Sequence, residues 1–156
     1  KLGLPANEAA RFRLLVKDGY RPHRATHAMA KWAKEHGVSS AYVAANISGH
    51  NSGRTVDLTL GYQKNDGSVQ EVWMGATFDE FSRNARHATA GRNLNPEVDA
   101  RLSFQGTGYR NIDGVSTLNL REVLKSAMQS VGATPYNSEY WHYSFGKGHC
   151  YDRAIG

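Results

Sequence analysis

The spacing of hydrophobic and polar residues changes several times along the chain, and each change marks an element. Residues 11–17 read as a short strand, and Asp18-Gly19-Tyr20-Arg21-Pro22 ends it, because glycine and proline both interrupt regular structure. From Pro22 to about His36 the period becomes helical. Ala25, Ala28, Met29, Trp32 and Ala33 recur at three- and four-residue spacing and make an apolar stripe, with Pro22 suited to the first turn and Gly37 to the stop. Residues 46–53 form a polar loop with two glycines. Residues 55–60 then alternate: Val56, Leu58 and Leu60 face one way, Thr55, Asp57 and Thr59 the other. Asn65-Asp66-Gly67 leads to a second strand over 69–73, the pattern of a β-hairpin.

Residues 75–115 are rich in glycine, asparagine and arginine, and read as loops with short helical pieces. Asn119 reads as a helix cap with Glu122 three residues on. The helix it opens, 120–131, would bury Leu120, Val123, Leu124, Ala127 and Met128 and stop at Gly132. A last strand is expected over 140–145. Hairpins with single helices do not build repeated βαβ units. The fold class expected is therefore α+β, with a small central antiparallel sheet flanked by helices. No internal repeat is visible.

The chain has 156 residues, 40% of them hydrophobic, which suits one domain over 1–156. Nineteen basic residues against 14 acidic give a net charge of +5. These charges are dispersed. The densest stretch, Arg83, Arg86, His87 and Arg92, is mixed with Asp79 and Glu80 and reads as a solvated face, so no nucleic-acid partner is expected. No apolar run reaches the roughly 20 residues of a membrane span. The single cysteine, Cys150, excludes an intramolecular disulfide framework and a cysteine-rich zinc site. The first residue, Lys1, fits either a removed targeting segment or a trimmed chain. With the basic charge, it favours an exported protein. Oligomeric state is not readable from the pattern.

There is no G-x-S-x-G elbow, phosphate-binding glycine loop or H-E-x-x-H pair. Two segments carry the candidate chemistry: Ser48-Gly49-His50 through Asp57, and Glu139-Tyr140-Trp141-His142. Zinc hydrolysis needs three protein ligands, an open position and a carboxylate to take a proton from water. His50, Asp57 and His142 can supply the ligands and Glu139 the base. Glu139 and His142 are three apart, so on a regular strand they would face opposite ways. They share a site only if residues 137–139 turn or the strand is bulged. By spacing alone, each histidine also fits an ordinary core or surface residue, Arg21 a strand-end ion pair, and Asp79 a helix-start carboxylate.

At these residues the sequence resembles the zinc D-Ala-D-Ala dipeptidases of the VanX type, within the wider zinc D,D-peptidase group that shares a fold with the Hedgehog signalling domain. The resemblance rests on Asp18-Gly19-Tyr20-Arg21-Pro22, Ser48-Gly49-His50 with Gly53, Val56-Asp57-Leu58-Thr59-Leu60, Met74-Gly75 with Phe78-Asp79, and Glu139-Tyr140-Trp141-His142-Tyr143. The Met-Gly…Phe-Asp segment points to the dipeptidase branch over carboxypeptidases and phage endolysins. The resemblance implies one zinc ion held by His50, Asp57 and His142. It implies Glu139 as general base and then acid, and Arg21 as stabiliser of the oxyanion. It implies Asp79, helped by Ser48, as the holder of the substrate's free ammonium. The substrate implied is D-Ala-D-Ala or a peptidoglycan stem peptide, which links the chain to cell-wall metabolism and to processes such as vancomycin resistance. His23, His27, His36, His87 and His149 match no ligand position.

Two departures shape the expectation. The segment before Asp18 is shorter than is usual in the family, so part of an N-terminal segment is expected to be lacking. The spacer from Arg21 to His50 is also short. A pocket opened in this way would admit longer stems. A D,D-carboxypeptidase, another peptidoglycan peptidase and a non-catalytic zinc-containing cell-wall binding module therefore stand as alternatives.

Overall fold

The computed structural model describes residues 2–40, 42–44, 47–94, 103 and 106–146; Cys150 and His149 lie outside them. A short helix α1 (Ala6–Ala9) precedes strand β1 (Phe12–Asp18) and helix α2 (His23–Glu35). Strands β2 (Thr55–Gln63) and β3 (Val69–Val72) form the expected hairpin. A two-residue strand β4 (Tyr109–Arg110) is the next strand among the described residues. Helix α3 (Thr117–Ser130), β5 (Thr134–Pro135) and β6 (His142–Ser144) complete the fold.

Among the described residues six strands join one sheet in the order β4-β3-β2-β6-β5, with β1 paired to β2. The pairings are antiparallel except β3 with β4, which is parallel. The α+β expectation thus resolves into a mixed structure whose sheet is mostly antiparallel. β2 is its central strand. One edge of β2 pairs with β1, and the other with β3 at Gly61–Gln63 and with β6 at Thr55–Asp57. Both faces of β2 are covered. Leu58 and Leu60 join a core with Tyr62, Val72, Met74, Leu120, Leu124, Met128, Tyr140, Trp141 and Tyr143, while Thr55, Asp57 and Thr59 are buried too.

Three sequence expectations change. The cap of α3 is Ser116, whose hydroxyl accepts from the Asn119 N–H, so the helix starts earlier than the Asn119 cap implied. On α3, Val123 is half-buried and Ala127 exposed, and Arg121 is fully buried beside Leu120, Leu124 and Met128. On α2, Thr26 and Ala33 face the interior, whereas Ala28 is exposed and Trp32 keeps 48% of its surface open, stacked on His36.

Arg121 explains how a long, weakly patterned loop acquires a fixed path. Its Nε donates to the Met74 carbonyl at 2.6 Å, and its Nη atoms donate to the carbonyls of Asn84 and Thr89 at 2.7 Å and to that of Arg86. The guanidinium lies over the Tyr140 ring at 4.7 Å. Burial lowers its pKa to about 10, which leaves it charged at neutral pH. A buried cation is tolerated here because carbonyl dipoles satisfy its donors. The segment from Gly75 to Arg92 also closes on itself. Arg92 N–H donates to the Gly75 carbonyl at 2.7 Å, and a Cβ on Gly91 would sit 2.0 Å from that oxygen.

At the tip of this loop Asp79 has φ +58°, the only non-glycine residue in the left-handed region among those described. Aspartate visits that region more readily than most residues, but alanine pays its full steric penalty and glycine none. Asp79→Gly should therefore be more stable than Asp79→Ala by about 1 kcal/mol in urea unfolding. Equal stabilities would mean the turn relaxes freely.

His87 is 5% exposed, its ring packs 5.8 Å from that of Tyr143, and neither ring nitrogen has a hydrogen-bond partner among the described residues. Burial, helped by the charges of Lys125 and Arg121, pushes its pKa down to about 4. The unfolded chain therefore binds the proton first as pH falls below 6.5, and stability drains away between pH 6.5 and 4. Replacing His87 with leucine should flatten that slope by on the order of 2 kcal/mol, allowing for solvent access, in unfolding curves at pH 7 and pH 4.5.

Candidate active site

The site is assembled around one rung of the sheet. Asp57 pairs in register with His142 on β6 and, across the other edge of β2, with Asp18 on β1. The β1 register shifts between Val16 and Asp18, so Lys17 is the extra residue of a bulge. Lys17 reaches Glu71 on β3 at 2.7 Å, and Asp18 stands opposite Asp57.

His50 arrives on a one-turn 3-10 helix, Gly49–Ser52, just before β2. The Ser48 hydroxyl accepts from the His50 N–H, and the Asn51 side chain accepts from the Ser48 N–H at 2.7 Å. The Asn51 amide donates to the Arg21 carbonyl at 2.6 Å and to Thr26 at 2.9 Å, and the Arg21 N–H donates to the His50 carbonyl. These contacts tie the Gly-Tyr-Arg-Pro segment to the loop bearing His50.

His50 Nδ1 lies 2.8 Å from the Gly19 carbonyl. A carbonyl only accepts, so Nδ1 carries a hydrogen, and Nε2 is the ring nitrogen that faces Asp57 and would offer its lone pair to a metal. His50 Nε2 is 3.2 Å from Asp57 Oδ2, and His142 Nδ1 is 3.0 Å from Asp57 Oδ1. The ligand atoms of His50, Asp57 and His142 all lie within 4.8 Å of one another. Asp57 Oδ1 is buried without an aligned hydrogen bond among the described residues, despite its close approach to His142. Two imidazole nitrogens and a carboxylate oxygen converging on a buried point fit a divalent cation, and the N, N, O donor set is one zinc accepts.

The turn expected before His142 is present. Glu139 N–H donates to the Tyr136 carbonyl, and His142 N–H donates to the Glu139 carbonyl. Glu139 Oε2 thereby lies 3.6 Å from His142 Nδ1. Arg21 makes the ion pair that its position at a strand end suggested: its Nε donates to Asp18 at 2.8 Å and its Nη2 to the same oxygen. Its Nη2 is also 3.9 Å from Asp57 Oδ2. Ser48, Asp79, Glu139, Arg21 and the three clustered candidate ligands line one cleft of about 300 Å³.

The charges in this cleft are set against each other. Burial would raise the Asp57 carboxyl, but the two imidazoles outweigh it and hold the group below its usual range. Burial would lower His50, and contact with Asp57 outweighs that in turn. Burial pushes Glu139 up to about 7, aided by the charges of Asp57 and Asp79 and opposed by His142. Asp79 stands at the mouth with part of its surface open. Crowding by protein, then the charge of Asp57, raises it to about 6 against the pull of Arg21. Two carboxyls poised near neutrality in one cleft are a mark of acid–base chemistry.

Residues that sequence reasoning did not assign also contribute. Asp18 holds Arg21, Asn51 locks the His50 turn, and Tyr136 lines the cleft with its ring 5.6 Å from that of His142. Ser48-x-x-Asn51 was a readable capping signal, whereas the long-range partners of Asn51 were not. His23, His27 and His36 lie on or beside α2, and neither they nor His87 belong to the clustered ligands.

Comparison with known proteins gives the family. A peptidase family described as "D-ala-D-ala dipeptidase" matches residues 6–155. A D-alanyl-D-alanine dipeptidase of Enterococcus faecium is 29% identical over 147 residues, covering 83% of this chain and 60% of that protein. One from Streptomyces coelicolor is 32% identical over 160 residues, covering 85% of this chain and 62% of that protein. The chain thus spans about 60% of the length of these curated relatives. With the match running over almost all of its length, the chain belongs to the D-ala-D-ala dipeptidase family of metallopeptidases.

Proposed function

We propose that this chain is a zinc-dependent D-alanyl-D-alanine dipeptidase acting on D-Ala-D-Ala in cell-wall metabolism, and that residues 1–156 form its single peptidase domain. The helix-flanked sheet of the Hedgehog and D,D-peptidase architecture belongs to the same proposal. The observation that carries it is the convergence of His50, Asp57 and His142, with Glu139 3.6 Å from His142, at the base of a cleft that also holds Arg21 and Asp79.

His50, Asp57 and His142 would hold the metal. Zinc at such a centre supplies Lewis acidity, which lowers the pKa of water to about 7. Glu139, with its own pKa brought to about 7, accepts the proton as water attacks the peptide carbonyl. It returns that proton to the amine of the departing alanine as the C–N bond breaks. Arg21, fixed by Asp18, faces the oxygen on which charge develops. Asp79 at the mouth pairs with the free ammonium of the substrate, and Ser48 supports the same end. A blocked amino terminus would leave Asp79 without its counter-charge, which favours free dipeptides.

Zinc-loaded protein is expected to release D-alanine from D-Ala-D-Ala, and chelator-stripped protein to release none. Glu139→Ala should keep its zinc and lose about 10³-fold in kcat. Retained activity would remove Glu139 from the mechanism. Zinc binding without release would turn the reading towards acylated stem peptides, cleaved by a D,D-carboxypeptidase, or towards a non-catalytic binding module.

A further inference from the structure

Glu80 looks like part of a solvated face in the sequence, yet its carboxylate is the centre of a network. Oε2 accepts from the Thr77 N–H at 3.2 Å, the Thr77 hydroxyl at 3.4 Å and Arg92 Nη2 at 2.9 Å. Oε1 accepts from the Ser82 hydroxyl at 2.8 Å and the Asn84 amide at 3.1 Å. Five donors from four residues on both sides of the loop tip therefore meet on one side chain. The Glu80 N–H also donates to the Thr77 carbonyl at 3.3 Å, which closes a four-residue turn.

Asp79 is the third residue of that turn, with φ +58°. Its neighbour Phe78 packs inward, its ring 5.5 Å from that of Trp141. The turn thus sends Phe78 to the core and Asp79 to the cleft. A non-glycine residue keeps a left-handed conformation only where its surroundings over-determine it, and such residues cluster at functional sites. Asp79 is itself partly open to solvent. What ties together the residues on either side of it is the carboxylate of Glu80.

We propose that Glu80 is a positioning residue for amino-terminal recognition: by gathering Thr77, Ser82, Asn84 and Arg92 it holds Asp79 in the left-handed conformation that presents its carboxylate to the substrate's ammonium. The proposal rests on the dipeptidase reading and deepens it. Glu80 touches no substrate and acts only through Asp79. Its loss weakens binding of the free amine and leaves the hydrolytic step at Glu139 intact.

The test compares wild type, Glu80→Gln, Glu80→Ala, Asp79→Asn and the double variant Glu80→Ala/Asp79→Asn, on D-Ala-D-Ala and on its N-acetyl derivative. Glu80→Ala is expected to raise KM for D-Ala-D-Ala about tenfold with kcat within about threefold of wild type. Glu80→Gln, which keeps one acceptor oxygen, should fall between. Preference for the free amine over the N-acetyl peptide should shrink. In the Asp79→Asn background, Glu80→Ala should add nothing further, since both changes remove one interaction. An equal KM rise in that background, or a fall in kcat that follows only the loss of folded protein, overturns the proposal. If wild type releases no D-alanine, the dipeptidase reading fails by itself. Amide exchange then decides the role of Glu80: faster exchange at Thr77 and Glu80 in Glu80→Gln supports it, and unchanged exchange overturns it.

Discussion

Two carboxylates face each other across the sheet at Asp18 and Asp57, an arrangement that opposes pairing unless a cation intervenes. The structure is arranged to supply positive charge there. Arg21 reaches Asp18 and approaches Asp57, and His50 and His142 press on Asp57 from either side. Register enforces this. Strand side chains alternate, so a slip of one residue would turn Asp57 to the other face and put Val56 or Leu58 in its place. The bulge at Lys17 acts in the same sense. Without it Lys17 would stand opposite Asp57, whereas with it Lys17 neutralises the buried Glu71 and Asp18 is left to hold Arg21. The remaining parts of the site arrive by loops whose ends this rung fixes.

The legible parts of the fold were those in which a local period carries the information. The alternation over 55–60 gave the strand and its buried faces, and Asp66-Gly67 gave the hairpin. Asn137-Ser138 gave the turn that lets Glu139 and His142 share a cleft. Burial decided by distant partners was not legible. Arg121 sits in an amphipathic helix where an arginine reads as solvent-facing, and only the carbonyls of residues 74–89, far away in sequence, make its burial tolerable. The stripe on α2 had the right spacing, but the helix buries Thr26 and Ala33 and leaves Trp32 open. Strand β4 is two residues long and owes its existence to β3.

The same division runs through the site. The candidate ligands could be picked out because their residue types are scarce and their spacing matches a known pattern. Asp79 and Glu80 are adjacent acids in a charged stretch; the Met-Gly…Phe-Asp pattern marks Asp79, but nothing local marks Glu80 as the residue that ties the turn. What distinguishes them is the backbone: a positive φ at Asp79 aims successive side chains in directions that neither helix nor strand would allow.

The clamp made by Arg121 has an evolutionary corollary. All four of its hydrogen-bonding partners are main-chain oxygens, so it is blind to the side chains at Met74, Asn84, Arg86 and Thr89. Those positions can drift in identity at little expense to the clamp. The rigid planar fork of a guanidinium, however, tolerates little displacement of its acceptors. An inserted or deleted residue between 74 and 89 would carry at least one carbonyl out of reach. The clamp therefore constrains the length of this segment more tightly than the identity of the four residues whose carbonyls it holds.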